Sequence, residues 1–148
     1  MKSILLSVSL FACTLLQAQT QGTLAFTFTQ TSHTSYSGSR NVLAVWIQSS
    51  TGTFIKTRMR YAGGGTSDHL PTWAVNSGGT SGNCMSGSCN TVGATTGATL
   101  TSFGTRSVTW DGTDASGNVV ADGTYKITIE SCWNHGSTAK VTRSFTFT

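Results

Sequence analysis

Cysteine and histidine carry most of the reactive chemistry this chain could offer. Cys84-Met85-Ser86-Gly87-Ser88-Cys89 sets two thiols five residues apart in a glycine-rich stretch. In an oxidising compartment that spacing closes a small ring by a disulfide, stabilising on the order of 2 kcal/mol because the loop is short. Cys132 is then the odd thiol, in Cys132-Trp133-Asn134-His135, with His69 far upstream. One thiolate and two imidazoles form the donor set of a mononuclear copper centre. No methionine follows His135, so Met59 or Met85 would have to supply an axial sulfur, or the site would have none. The simpler account makes His135-Gly136 the turn after a strand and His69, just before Leu70-Pro71, a loop residue; no metal is expected on it. His33 has no evident partner.

Other catalytic arrangements find less support. Asp68 beside His69 could be combined with one of many serines, but no strand-turn-helix nucleophile elbow is present. Asp111, Asp114 and Asp122 stand where turns favour aspartate. There is no Cys-x-x-Cys-His for covalent haem and no phosphate-binding glycine loop before a helix. One further stretch, Thr96-Gly97-Ala98-Thr99, places a hydroxyl in a small-residue loop that a reagent could approach. It resembles the ending of the Ser/Thr-Gly-Ala-Thr motif onto which FMN is esterified in some extracytoplasmic redox proteins. The resemblance implies Thr99 as acceptor. In those proteins an aspartate stands six residues earlier, and here that position is Gly93. A Gly/Thr-rich turn leading into a strand accounts for the same residues.

Compartment decides what these side chains can be. Lys2 precedes an apolar run from Ile4 to Leu16, and Leu16-Gln17-Ala18 offers small residues before Gln19. That is the anatomy of a secretory signal peptide over residues 1–18, leaving one domain over 19–148. An alternative makes Leu10-Phe11-Ala12-Cys13 a lipoprotein box with Cys13 acylated. No later segment approaches the ~20 apolar residues of a membrane-spanning helix. Without Lys2, eight basic residues face five acidic ones. This excess is too mild, and too scattered among strands, to indicate nucleic acid. Lys56, Arg58 and Arg60 share one strand face by period two, and are expected on a solvated outer face.

The elements that must position these residues are strands. Charged residues are 9% of the chain and Gly, Ser and Thr are abundant, as in an extracytoplasmic all-β protein. Alternation marks Leu24, Phe26 and Phe28; Leu43, Val45 and Ile47; Ile55, Met59 and Tyr61; Val108 and Trp110; Tyr125, Ile127 and Ile129; and Val141, Phe145 and Phe147. Each set reads as the buried side of a half-buried strand. Six or seven such strands predict an immunoglobulin-like two-sheet β-sandwich, with no helix assigned. Turn residues between Trp110 and Tyr125 predict a hairpin. From Ala62 to Phe103 the pattern fails, leaving a long Gly/Ser/Thr/Asn-rich loop with Leu70, Trp73, Val75 and Val92 as anchors. Trp73 and Trp133 read as residues capping a core.

Two family resemblances follow. The segment from Trp110-Asp111-Gly112 to Ile129 resembles the terminal hairpin of the Ig-like module of flagellar hook-capping proteins, which implies fold more than function. Over most of the mature chain the sequence is similar to an uncharacterised family of predicted periplasmic or secreted bacterial proteins. The matching pieces are Val45-Trp46-Ile47, Phe54-Ile55-Lys56-Thr57, His69-Leu70-Pro71-Thr72-Trp73, Ala94 to Thr99, Trp110-Asp111-Gly112, Gly123-Thr124-Tyr125 and His135-Gly136. That resemblance implies an extracytoplasmic redox setting. The expectation is therefore a periplasmic or secreted binding or accessory module without catalytic activity, with an extracytoplasmic protein partner. A covalent FMN carrier at Thr99 is the second reading, and a copper protein using Cys132, His69 and His135 the third.

Overall fold

Short runs of alternating apolar and small polar residues become, among the described residues, seven strands and one short helix. In chain order they are β1 (Leu24–Gln30), β2 (Asn41–Ser49), β3 (Phe54–Tyr61), α1 (Pro71–Asn76), β4 (Thr95–Gly97), β5 (Gly104–Trp110), β6 (Gly123–Trp133) and β7 (Ser137–Phe147). The structure, a computed structural model, describes residues 21–63, 65–79, 82–85 and 89–148. The signal-peptide segment and Cys13 lie outside the described residues. β1 and β5 form one sheet, paired antiparallel from Leu24 opposite Trp110 to Gln30 opposite Gly104. The other sheet runs β4-β3-β2-β6-β7, antiparallel except where β4 lies parallel to β3. The two pack as an all-β sandwich. Among the described residues no helix is long and apolar enough to cross a membrane.

The core between the sheets holds the expected residues, except that the Val141 side chain lies outside the described ones. Leu43, Val45, Ile47, Met59, Val108, Trp110, Tyr125, Ile127 and Phe147 are buried together, with Leu24, Phe26, Phe28 and Ile129 against them. The Trp110 ring meets Tyr125, Phe145 and Phe147 at centroid distances of 5.0–5.9 Å, within the range of favourable aromatic pairs.

β2, however, is buried on both faces. Val42, Ala44 and Trp46 point away from the first core into a second one, with Ala62, Leu70, Trp73, Ala74 and Cys132. The continuous run Val42-Leu43-Ala44-Val45-Trp46-Ile47 suits a strand covered on both sides, which alternation alone does not distinguish. The segment from Ala62 to Phe103 covers that second face. Leu70 and Trp73 do anchor it, both fully buried, whereas Val75 and Val92 are exposed at 62% and 59%. The segment also holds α1, with Pro71 at its start, where the missing N–H costs nothing. A disulfide joins Cys84 to Cys89, and both pack on the second core.

Two expectations are corrected by pairing. Lys56 and Arg60 do not share a face: Lys56 stands opposite Ile47, Arg60 opposite Ala44, and Arg58, with no partner residue on β2, absorbs an irregularity between them. Nor are the three free in solvent: each is tied to the fold by hydrogen bonds. Lys56 is buried, donates to Thr113 Oγ1 and lies 3.5 Å from Asp111. Arg58 donates to the carbonyls of Thr109 and Gly93, and Arg60 to that of Ala62. The stretch from Trp110 to Tyr125 is likewise no hairpin, because β5 pairs with β1 while β6 pairs with β2 and β7. Its turn residues act locally: Thr113 bridges Val119, and Asp114 accepts the N–H groups of Ser116 and Asn118. The chain thereby crosses from one sheet to the other.

Candidate functional site

The start of β2 and the end of β6 are paired, Asn41 with Trp133 and Val42 with Cys132, so the turn after β6 meets the segment before β2. The glycine-rich chain leaving β3 arrives at the same pole. The chain leaving β4 joins it there through paired N–H···O bonds between Asn41 and Leu100, 2.9 and 3.0 Å. Together they enclose an open cleft of about 570 Å³. Tyr36, Arg40, His69, Thr99, Cys132 and the run from Trp133 to His135 line it. A cavity of about 340 Å³ lies beyond Trp133, between β1 and β6, with Phe28, Ile129 and Ala139 in its lining.

Two buried carboxylates hold the segments behind this wall. Glu130, 2% exposed, accepts the backbone N–H groups of Thr72 and Trp73 at 3.1 and 2.7 Å, clamping the start of α1 to β6. Asp68, 1% exposed, accepts from Leu70 and Cys84 and lies 3.7 Å from the Arg60 guanidinium. Arg60 also covers the Trp73 ring at 5.5 Å, and the Trp73 indole N–H donates to Thr57 Oγ1. His69, next in the chain after Asp68, is thus placed by a buried network.

The structure gathers the candidate residues without giving them equal roles. His69 and His135 meet edge-on with centroids 5.7 Å apart. Cys132 lies in the same cleft, yet among the described residues no group of three or more His, Cys, Asp and Glu side chains is close enough to hold a metal ion. Burial pushes the Cys132 thiol up, the Glu130 carboxylate adds to this, and a hydrogen bond with the Gly136 backbone opposes it. Such a thiol is a poor nucleophile and a poor ligand at neutral pH. Thr99 Oγ1 donates to the Gly63 carbonyl at 2.7 Å and accepts the Gly63 N–H at 3.2 Å. Gly97 is required by packing, since a Cβ there would lie 2.6 Å from the Tyr61 ring. Thr96 and Ala98 are exposed. Gly93, in the place of the motif's aspartate, has φ +70° and a backbone held by Arg58.

Other features of the pole were not legible beforehand. His33, read as partnerless, stacks on Trp133 at 5.2 Å and bonds to Ser35 Oγ. Trp133 caps the end of β6 and separates the two cavities. His69 (φ 55°), Asn134 (φ 50°) and His135 (φ 54°) have positive φ, and among the described residues they are the non-glycine residues that do. All three line the cleft.

Fold and site together define a disulfide-bearing β-sandwich with an open cleft at one pole. Residues 23–148 match the family model described as predicted periplasmic protein (DUF2271), and the chain belongs to that family. This places it in the periplasm. No curated protein and no solved structure matches.

Proposed function

We propose that this chain is a periplasmic binding module without catalytic activity of its own, accessory to an envelope redox system, and that the cleft between the β2 start and the β6–β7 turn is its binding site. The carrying observation is the placement of His69, Asn134 and His135. Left-handed backbone at a non-glycine residue costs on the order of 1–3 kcal/mol and collects at functional sites, and here three such residues line one cleft. The cleft also lies within the usual size range of small-ligand sites, roughly 300–1,000 Å³. Against catalysis, Asp68 is engaged with backbone N–H groups and Arg60, and Thr99 with Gly63.

The framework is an immunoglobulin-like one. β1 and β5 take the places of strands B and E, and β3-β2-β6-β7 those of C′-C-F-G. Near the start of β6 the Tyr125 hydroxyl donates to the Ala121 carbonyl, a tyrosine corner where such folds carry one.

The second reading, a covalent FMN carrier, is favoured by the location of Thr99 in the cleft wall. Intact mass and visible spectrum of the mature protein, co-expressed with a flavin transferase and supplied with copper, separate the readings. Apoprotein mass and no visible band supports the binding module. An FMN-sized increase lost in Thr99→Ala establishes the carrier, and a copper-dependent blue band the metal reading. Screening a mixed set of neutral and charged fragments by amide NMR tests the cleft itself. Responses around Gly63, Ser67 and Asn134 are expected; responses confined elsewhere overturn the site.

A further inference from the structure

Given that the cleft is the binding site, its chemistry defines the ligand. Arg40, His69 and His135 line it, and no aspartate or glutamate does. Among the described residues none of the three side chains makes a hydrogen bond or an ion pair; the histidine rings only touch each other, and Arg40 is exposed. By contrast Lys56, Arg58, Arg60 and Arg106 are all tied to the fold by hydrogen bonds. One guanidinium and two imidazoles without hydrogen-bond partners, in one concavity, are donors awaiting an acceptor.

The chain's five acids explain why the field there stays positive. Asp68 and Glu130, the two nearest in sequence to His69 and His135, are buried behind the wall, engaged with backbone N–H groups and, for Asp68, with Arg60. Asp111, Asp114 and Asp122 belong to the crossing between β5 and β6. That crossing meets the opposite end of β6, whose 11 residues span about 35 Å. A Debye length of about 8 Å at physiological salt removes their influence over that distance. Hydroxyls of Thr66 and Ser67 add neutral donors, while Trp133 and Val42 supply apolar surface.

We infer that the cleft binds a small organic anion, its phosphate or carboxylate group held by Arg40, His69 and His135 and its flat apolar body lying against Trp133. A ligand of this class uses the charge of the site and the aromatic wall together, and a free inorganic ion uses only the first.

The test titrates the mature disulfide-bonded protein with phenyl phosphate, benzoate and benzyl alcohol, followed by amide NMR. At least one anion should bind with shifts confined to the cleft and at least tenfold more tightly than benzyl alcohol. Preference between the two anions identifies the headgroup. Arg40→Ala, His69→Asn and His135→Asn should each weaken the anion about tenfold, the loss expected for one hydrogen bond to a charged group. Asparagine is chosen because it adopts positive φ readily, so the variants keep the backbone. Equal affinity for benzyl alcohol, or unchanged anion affinity in all three variants, overturns the anion inference and leaves the cleft as a binding site. If no probe perturbs the cleft, the anion inference falls, and the fragment screen decides separately whether the site stands.

Discussion

Replacing Glu130 by alanine should reach well beyond its own strand. Its carboxylate is 2% exposed and accepts the N–H groups of Thr72 and Trp73 across the interface between β6 and α1. Pro71, at the helix start, contributes no N–H, and no side chain at the N-cap position takes over the others. Each hydrogen bond to a charged acceptor is worth about 1.5–3 kcal/mol, and alanine leaves both donors unsatisfied above a void. The expected loss is about 3–5 kcal/mol, out of a total of about 5–15 kcal/mol for a domain. Glu130→Gln keeps one acceptor oxygen and should lose about 1.5–3 kcal/mol. Urea unfolding with the disulfide intact measures both. Hydrogen exchange should locate the effect, accelerating first at Thr72, Trp73 and Ala74, because the segment can detach before the sandwich opens. The amides of His69 and His135 should shift as well, although Glu130 is not part of the cleft lining. A loss below about 1 kcal/mol, or unchanged exchange in α1, refutes the clamp.

Four further outcomes are expected. Cys84→Ser with Cys89→Ser should lower stability by about 2 kcal/mol, the chain-entropy value for so short a loop, read as a shift in the urea midpoint. Cys132, 2% exposed with its thiol pushed up by burial, should resist iodoacetamide at neutral pH until the protein is unfolded; prompt labelling of the native protein would contradict its placement. For Asp111, burial pushes the carboxyl up, but the Thr113 hydroxyl and N–H and the Lys56 ammonium outweigh it and hold it below its ordinary 3.8. Its stabilisation is therefore complete above that value and lost as pH falls through the lower folded value. Asp111→Asn should cost a little stability at neutral pH and make acid unfolding shallower below about pH 4. Tyr125→Phe removes the bond to the Ala121 carbonyl and should cost about 1 kcal/mol by urea titration.

What could be read from the sequence was the part governed by local period. Leu24, Phe26 and Phe28, or Tyr125, Ile127 and Ile129, alternate because one face of each strand meets the inter-sheet core. Alternation failed where a second layer intervened. Val42, Ala44 and Trp46 are covered by a glycine-rich segment with no period of its own, held by Glu130 from some 57 residues away. The irregularity of β3 at Arg58, which turns Lys56 and Arg60 to opposite faces, carries no sequence signature. Pro71 did carry one, as a residue suited to the first position of a helix, but a helix of six residues has no apolar period to reinforce it. The site was legible as a set of residue types, His69, Cys132, His135 and Thr99. Their neighbour Arg40 was not, because a basic residue before a strand looks like any other until the pole is assembled.

The segment from Ala62 to Phe103 gives this sandwich its second core and its cleft at once, which constrains how the two can be separated experimentally. Without it the β2 face bearing Val42, Ala44 and Trp46 would be open to water, so the segment cannot be removed to test binding without exposing a core. The residues at this pole nevertheless divide by partner. Glu130, Asp68, Arg60, Thr57 and Trp73 are bonded to one another or to backbone, and changes there alter folding first. The side chains of Arg40, His69 and His135 hold no hydrogen-bond partner among the described residues, so their replacement removes donors from the cleft while every clamp stays in place. A protein that keeps its urea midpoint but loses its ligand on Arg40→Ala would tie binding to the cleft and not to the fold that carries it.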